Sequence, residues 1–307
     1  MEKVLIFGHK NPDTDSICSS IVMQELVKHY GLESEAVKLG KLNKETEYVF
    51  KYLGIEIPRE ISKVEKGQKV ILVDHNEKIQ SVDERENAEI IAVIDHHRIA
   101  DFTTIGPLYY IAKPYGCTST VLFGLFKQAN VEISKNIAIL MLSAIISDTL
   151  LLKSPTCTSK DVEAYNELEK IAEIDAAEYG LNMLKAGTDI STMSAKEVID
   201  LDSKEFKEKD KKIVISQVNT ADINDVFARK DELSFAIEKE ISEKSLDLFV
   251  FVITDIVNTN SKIIALGKDK ELVEKAFEKK LDNDDAMLLE GVVSRKKQIA
   301  PPLLENI

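Results

Sequence analysis

The sequence predicts a two-domain α/β protein whose N-terminal domain contains a parallel sheet. Short apolar runs alternate with helical patterns in the first half of the chain, which favours a parallel sheet covered by helices. The apolar periodicity then lapses between Lys185 and Thr192, and a second α/β series follows. With 307 residues, the chain is long for one domain and sufficient for two domains with separate cores.

The N-terminal domain is predicted to begin with a strand and two helices. Val4 to Phe7 is a continuous apolar run, and a helix is expected to follow it as far as about Tyr30. Asn43 is expected to begin a second helix, which Gly54 caps. The later strands and helices predicted in this half are Val70 to Val73, Ile90 to Ile94, Thr118 to Gln128, Ser134 to Ser147 and Ser159 to Ala172.

The C-terminal domain is predicted to be a smaller α/β domain. Its predicted strands are Lys212 to Val218, Leu246 to Thr254 and Lys262 to Leu266, and its predicted helices lie near Thr220 to Ser245 and Lys270 to Leu281. The predicted limits are residues 1–186 for the first domain, 187–193 for a linker and 194–307 for the second domain.

Charge and hydropathy argue against several classes of function. The net charge of -13 disfavours binding to nucleic acid, and no basic stripe interleaved with aromatic residues occurs. No basic, apolar leader precedes Val4, and the longest strongly apolar stretch, Ile137 to Ile146, is too short to span a bilayer. Cys18, Cys117 and Cys157 lack the spacing of a zinc site and are expected to be core thiols. We therefore expect a cytoplasmic protein without membrane or nucleic-acid partners.

Four of the five histidines follow predicted strands. The sequences VLIFGH, KVILVDH and IIAVIDHH place His9, His75, His96 and His97 at the carboxyl ends of three strands, whereas His29 is expected on a helix surface. In open parallel sheets, ligands bind in the crevice beyond those strand ends. The aspartates that accompany the histidines, at strand ends or closing an apolar run, are Asp13, Asp15, Asp74, Asp95 and Asp148.

These acids and imidazoles can be interpreted in two ways. Each residue alone is explained by a helix cap or a solvated loop, and Asp13 and Asp15 stand where a helix begins. As a group, unpaired acids would repel one another, so a divalent cation is the simpler explanation. Carboxylates and imidazoles without thiolates suit Mn²⁺, Mg²⁺, Fe²⁺ or Co²⁺. At least six ligands suit two metals that share a carboxylate, for which Asp74 is a natural bridge.

The motifs GHKNPDTDS, VDHNE, IDHHR and SAIISDT, with SRKK at 294–297, resemble those of the family II (manganese-dependent) inorganic pyrophosphatases of the DHH phosphoesterase superfamily. The resemblance runs nearly end to end and includes YGLNMLKAG before the linker. The DHH motif indicates only the superfamily, whereas SRKK distinguishes this branch. The resemblance implies a DHH metal-binding catalytic domain, a DHHA2-type C-terminal domain, and an active site in the cleft between them.

The resemblance also implies a role for each site residue. The implied ligands are His9, Asp13 and Asp74 for one metal, and Asp15, Asp74, His96 and Asp148 for the other. The implied catalytic residues are His97 and Asp74, and the implied substrate-binding residues are His97, Lys204, Arg295 and Lys296. His75 and Asp95 would support the imidazoles that bind metal. Without the resemblance, the basic cluster at 295–297 could equally be a solvated turn.

The implied reaction is hydrolysis of inorganic pyrophosphate to two phosphates by a hydroxide that bridges two Mn²⁺ ions. Co²⁺ or Mg²⁺ would serve as substitutes, and additional Mg²⁺ would arrive with the substrate. Closure about the linker would bring the basic residues to the metals. The resemblance further implies a homodimer formed through the N-terminal domain. Only a dozen residues separate Pro58 from Val70, too few for a regulatory nucleotide-binding insertion, so we expect no control by adenine nucleotides.

Four other functions are alternatives, and the sequence argues against two of them, the phosphodiesterase and the di-iron oxidoreductase. A nucleotide phosphodiesterase of the same superfamily would carry a glycine-rich motif with a histidine, yet no two glycines are adjacent and no histidine follows His97. An exopolyphosphatase would use the same chemistry on longer substrates. A di-iron oxidoreductase would use Glu-x-x-His pairs, which do not occur here. A binding protein would hold Mn²⁺ and pyrophosphate without releasing phosphate.

Overall fold

The computed structural model describes residues 3–188, 190–220 and 222–306, apart from the side chain of Glu208. The chain divides after Gly187 into two compact units, which we call the first unit and the second unit. Each contains a five-stranded sheet with helices, so the predicted two-domain α/β class is confirmed. The predicted limits of the domains and the linker stay a prediction. Among the described residues, no helix has the length and apolar character needed to cross a membrane.

The sheet of the first unit is parallel throughout. Its strands are β1 (Val4–Phe7), β2 (Ser34–Ala36), β3 (Lys69–Val73), β4 (Glu89–Asp95) and β5 (Tyr109–Ala112), in the order β2-β1-β3-β4-β5. Leu5 pairs with Val70, and Val73 pairs with Ile94. Every residue of β1 is buried, as expected of a parallel strand that is covered on both faces.

Helices accompany this sheet in the described part of the first unit. They are α1 (Thr14–His29), α2 (Lys44–Leu53), α3 (Thr118–Ala129), α4 (Lys135–Thr149), α5 (Ser159–Ala172) and α6 (Ala176–Gly187), with short 3₁₀ turns at Lys78–Gln80 and Arg85–Asn87. The Asn43 side chain caps α2 by accepting from the Thr46 N–H, and Gly54 ends that helix with a φ of 63°. The predicted bounds of α5 are confirmed, and α4 is apolar and buried over most of its length.

The strand order reverses between β1 and β3. From β1 the chain passes to β2 on one side, and the later strands β3, β4 and β5 lie on the other side. At such a reversal the loops beyond the carboxyl ends diverge and leave a crevice, where ligands bind in open α/β sheets. The segments that follow Phe7 and Val73 open into this crevice, which is where the sequence places His9 and Asp74.

The second unit is built on a mixed sheet of order β10-β9-β8-β7-β6. Its strands are β6 (Asp202–Glu208), β7 (Lys211–Thr220), β8 (Leu248–Asp255), β9 (Asn260–Leu266) and β10 (Ala286–Glu290). Its helices are α7 (Ala195–Asp200), α8 (Ile223–Phe227), α9 (Lys230–Lys244), α10 (Glu271–Phe277) and α11 (Ala300–Glu305), with a π-helical turn at Arg295–Ile299. The central strand β8 is buried along its whole length and contributes to an apolar core on each face of the sheet.

The single helix predicted near Thr220 to Ser245 is wrong. Thr220 ends strand β7, and the helical region is divided into α8 and α9 at Ala228 and Arg229. The Arg229 guanidinium donates to the carbonyl oxygens of Ile190 and Met193, at 2.9 and 2.8 Å. These hydrogen bonds between distant parts of the chain hold Arg229 in place between α8 and α9. The local apolar periodicity of the sequence does not predict them.

Candidate metal centre

The six residues predicted to bind metal lie at the carboxyl end of the first unit's sheet. His9 follows β1, Asp74 follows β3, and His96 follows β4. The other three are Asp13, the N-cap of α1, Asp15 in the first turn of that helix, and Asp148 in the last turn of α4. Asp13 also accepts from the Ser16 N–H at 2.9 Å, so the capping interpretation of this residue is correct as well.

The candidate ligand atoms form three overlapping groups: His9, Asp13 and Asp74; Asp74, His96 and His97; and Asp15, His96 and Asp148. Because His96 belongs to the last two, we call Asp15, Asp74, His96 and Asp148 together the second group, which shares Asp74 with the first group. In the first group, His9 Nε2 lies 3.4 Å from Asp13 Oδ2 and 3.4 Å from Asp74 Oδ2. In the second group, His96 Nε2 lies 3.3 Å from Asp74 Oδ1 and 3.7 Å from Asp148 Oδ2, and Asp15 lies within the same cluster. The two oxygens of Asp74 therefore face different groups.

Two buried oxygens in these groups support the presence of cations. Among the residues that the structure describes, Asp74 Oδ2 and Asp148 Oδ2 have no hydrogen-bond partner. A buried carboxylate oxygen without a donor is costly unless a cation neutralises it. The donor atoms are carboxylate oxygens and imidazole nitrogens without thiolate, which is a set that Mn²⁺ accepts. The residues present thus fit such ions.

Electrostatic repulsion among the acids of the centre also supports the presence of cations. Burial, followed by the nearby charge of Asp74, raises the pKa of Asp15 to about 6. Burial and the charges of Asp15 and Asp13 raise the pKa of Asp148 well above its usual range. Burial alone would lower the pKa of His96, but the adjacent Asp74 carboxylate outweighs it and raises that pKa to about 9. Without metal, protons bound to these side chains offset part of the negative charge of the neighbouring carboxylates.

Backbone carbonyls orient the imidazoles of His9 and His96. His9 Nδ1 lies 2.8 Å from the Lys10 carbonyl oxygen, and His96 Nδ1 lies 3.1 Å from that of Tyr115. Because a carbonyl oxygen can only accept, each Nδ1 carries the hydrogen and donates it. When the ring is neutral, its Nε2 atom is then left with the lone pair that a metal ligand requires.

His97 is held differently from the ligand histidines. Its Nδ1 lies 3.0 Å from Asp95 Oδ1 and 3.6 Å from Asp74 Oδ1, and its side chain is 40% exposed. Asn76 donates to Asp95 Oδ2 at 2.7 Å, so the carboxylate that orients His97 is itself fixed. His75 hydrogen-bonds instead with the Val73 carbonyl and with Ser81, and burial lowers its pKa to about 4.

Sequence reasoning missed several hydroxyl and amide groups around the acids. The Thr118 N–H donates to Asp15 Oδ2 at 2.7 Å, and the Thr118 hydroxyl donates to Asp74 Oδ1 at 3.0 Å. Glu45 accepts from the hydroxyls of Thr14, at 2.6 Å, and Ser147, so it links the segments that carry Asp15 and Asp148. Hydroxyl residues at helix ends are common, and the sequence contains no signal that separates these from ordinary caps.

The three basic residues predicted to bind phosphate belong to the second unit. Lys204 is exposed on β6, and Lys296 is exposed in the π-helical turn. Arg295 is mostly buried, and its guanidinium donates to the backbone carbonyl of Asp202 and, at 2.7 Å, to Asp202 Oδ1. Asp202 and Lys204 are two residues apart on one strand, so their side chains lie on the same face of β6. Arg295 and Lys204 therefore lie near one edge strand of the second sheet.

Two family models together match most of the chain. The model of the DHH family, N-terminal domain, matches residues 3–145, and the DHHA2 domain model matches residues 181–306. These matches lie on the parallel sheet of the first unit and on the mixed sheet of the second unit, respectively.

Relatives of high identity cover the chain from end to end. A probable manganese-dependent inorganic pyrophosphatase of Bacillus licheniformis is 55% identical over 308 residues, covering 100% of this chain and 99% of its own length. The manganese-dependent inorganic pyrophosphatase of Bacillus subtilis is 54% identical over 306 residues, covering 99% of each chain. A crystal structure from Methanococcus jannaschii, assigned to the family II inorganic pyrophosphatases, has a TM-score of 0.82 and 40% identity, covering 100% of this chain and 99% of its own. The chain therefore belongs to the family II, manganese-dependent inorganic pyrophosphatases.

Proposed function

We propose that this protein hydrolyses inorganic pyrophosphate to two phosphates at a centre of two Mn²⁺ ions. The observation that carries the proposal is Asp74, whose two oxygens face separate groups of ligand atoms at the crevice of the first unit. Membership of the manganese-dependent pyrophosphatases supports both the metal and the substrate. Co²⁺ or Mg²⁺ would substitute for Mn²⁺, and further Mg²⁺ would accompany the substrate.

The ligand assignment follows the two groups. The proposed ligands are His9, Asp13 and Asp74 for the first position, and Asp15, Asp74, His96 and Asp148 for the second. When bound, the two ions would supply a nucleophilic hydroxide at neutral pH and offset the negative charge of the phosphate oxygens. Asp74 would contribute to both positions, since its Oδ2 lies 3.4 Å from His9 Nε2 and its Oδ1 lies 3.3 Å from His96 Nε2.

His97 and the basic residues would bind the substrate. Asp95 accepts the hydrogen of His97 Nδ1, which fixes the ring while part of the side chain stays exposed. Arg295 would bind phosphate oxygens with a guanidinium that Asp202 already orients, whereas Lys204 and Lys296 would act as point charges. We propose that the site forms in a cleft between the two domains, as closure about the linker brings these cations to the metals and excludes water.

Three further properties belong to this proposal. The three cysteines form no disulfide, which suits a cytoplasmic enzyme in a reducing compartment. Two chains would form a homodimer through their N-terminal domains. Adenine nucleotides would not regulate turnover, and a clear effect of AMP or ATP at fixed free metal would contradict that expectation.

Phosphate release from a panel of substrates tests the proposal. The metal-stripped protein is loaded with Mn²⁺, Mg²⁺ or Zn²⁺ and assayed with pyrophosphate, tripolyphosphate, p-nitrophenyl phosphate and a short dinucleotide. We expect fast turnover of pyrophosphate alone, strongest with Mn²⁺. Preference for tripolyphosphate would indicate an exopolyphosphatase, and preference for the dinucleotide would indicate a phosphodiesterase. Binding of Mn²⁺ and pyrophosphate without phosphate release would indicate a binding protein.

A further inference from the structure

The segment from Tyr115 to Ser119, at the start of α3, contacts three proposed ligands of the second metal position. They are His96, Asp15 and Asp74. The Tyr115 carbonyl accepts from His96 Nδ1. The Thr118 and Ser119 N–H groups donate to the two oxygens of Asp15, at 2.7 and 3.2 Å. The Thr118 hydroxyl donates to Asp74 Oδ1 at 3.0 Å. One short segment thus orients three of the four proposed ligands of the second metal position.

The first metal position has no comparable support from this segment. The Nδ1 atom of His9 bonds to its neighbour Lys10, and Asp13 accepts from the N-terminus of α1. Asp74 Oδ2, the oxygen on this side, has no hydrogen-bond donor among the described residues. The hydroxyl of Thr118 therefore distinguishes the two oxygens of the shared carboxylate, since it contacts only Oδ1.

Buried contacts fix the segment itself. The Gly116 N–H donates to Asp161 Oδ2 at 2.9 Å, and the Thr120 hydroxyl donates to Asp161 Oδ1 at 2.6 Å. A Cβ atom at Gly116 would lie 2.9 Å from both Asp161 Oδ2 and the Thr149 methyl group, so only glycine fits without a shift. Thr118 is fully buried, which prevents water from replacing its hydroxyl freely.

We propose that Thr118 is a positioning residue for the second metal position, acting through Asp74 and Asp15. The inference rests on the proposed function, because it assumes that those carboxylates bind metal. The hydroxyl fixes the orientation of the Asp74 carboxylate, whose Oδ1 lies 3.3 Å from His96 Nε2, while the N–H fixes that of Asp15. Groups that support metal ligands in this way commonly change metal affinity about 10- to 100-fold when they are replaced.

Thr118→Val and Thr118→Ser separate the hydroxyl from the backbone contact. Valine matches threonine in shape and keeps the N–H to Asp15 but removes the donor to Asp74, whereas serine keeps both donors. Mn²⁺ binding is followed by titration calorimetry, and the number of bound ions by elemental analysis after gel filtration. The electron paramagnetic resonance spectrum distinguishes a coupled Mn²⁺ pair from a single ion, and it does not depend on turnover.

The wild-type protein is expected to bind two Mn²⁺ ions per chain. In Thr118→Val one binding step weakens about 10- to 100-fold while the other changes little, and the spectrum becomes that of a single ion at limiting Mn²⁺. Thr118→Ser restores both steps. Thr118→Ala removes the same hydroxyl without placing a methyl group against the carboxylate, and it should give the same result as Thr118→Val. It replaces Thr118→Val if the valine variant does not fold.

Three outcomes would overturn the inference: wild-type affinities at both steps without the hydroxyl, an equal loss at both steps, or a serine variant that behaves as valine does. Failure of the proposed function is recognised separately, in the wild-type protein, as the absence of a coupled pair or of pyrophosphate turnover. The two claims are therefore tested by different samples.

Discussion

Removal of the metals is expected to destabilise the first unit of this pyrophosphatase. All six proposed ligands lie between residues 9 and 148, on the ends of β1, β3 and β4 and on α1 and α4. Ions bound there would tie together elements that are distant in the chain, and they would neutralise the buried acids Asp15 and Asp74 and the half-buried Asp148. Neither effect operates in the second unit.

The expected magnitude follows from two metal positions in a unit of this size. An ion that binds only the folded state contributes about 2.7 kcal/mol when its concentration is 100 times its dissociation constant. Two positions then contribute about 5 kcal/mol, and each kcal/mol shifts the melting temperature of a unit of 150–250 residues by about 2–4 °C. Chelation should therefore lower the melting temperature of the first unit by about 10–20 °C.

Differential scanning calorimetry with excess Mn²⁺ or with a chelator measures this shift. Hydrogen exchange assigns it to a region, because protection should increase with Mn²⁺ at β1, β3 and the end of α4 and change little in the second unit. Asp148→Asn removes one ligand charge and should reduce the shift by about half, since one of two positions is weakened. His29→Asn, at an exposed histidine on α1, should retain the full shift.

Equal melting temperatures with and without Mn²⁺ would refute this reasoning. So would a shift that hydrogen exchange assigns to the second unit, or one that His29→Asn abolishes as effectively as Asp148→Asn does. Each of these results would mean that the ions bind outside the crevice at the carboxyl ends of the first sheet.

Three further predictions concern individual residues. Asp74→Asn should abolish both tight Mn²⁺ binding steps and pyrophosphate turnover, and two retained ions with full activity would contradict the shared-ligand role. Lys296→Ala should leave both Mn²⁺ steps unchanged in calorimetry but raise KM for pyrophosphate or lower kcat, whereas lost metal binding would contradict a role limited to substrate. His96, with a pKa of about 9, and His9, whose pKa the neighbouring Asp13 and Asp74 also raise, must lose their protons to bind metal, so Mn²⁺ affinity should rise by at least about tenfold per pH unit between pH 7 and pH 9. Calorimetry in buffers of different ionisation enthalpy should detect the released proton, and a pH-independent affinity would contradict this assignment.

The sequence predicts the parallel sheet and the residues at its carboxyl end because both depend on local patterns. Buried parallel strands are continuous apolar runs, so β1, β3 and β4 are visible in the sequence, and the polar residues that follow such runs mark the crevice. Helix α5 has the bounds that the sequence predicts, and in the structure Thr158 and Asp161 form a capping box at its start. The edge strands β2 and β5 are exposed or half-buried at most positions, so they lack the buried aliphatic run that marks β1, β3 and β4.

The groups that hold the ligands in place could not be predicted in the same way. Thr118 meets Asp15 and Asp74 across separations of 103 and 44 residues, and Glu45 meets Ser147 across 102 residues. Such contacts depend on how α1, α2, α3 and α4 pack, and a threonine or glutamate near a helix end is equally consistent with a simple cap or a solvated face. The structure is needed to find them.

Anomalous diffraction at the manganese edge tests the central claim most directly, using crystals of the wild-type protein grown with Mn²⁺. We expect two peaks per chain, about 3.5–4 Å apart, one beside His9 Nε2 and Asp74 Oδ2 and the other beside His96 Nε2 and Asp74 Oδ1. A single peak, or two peaks that do not share Asp74, would contradict it.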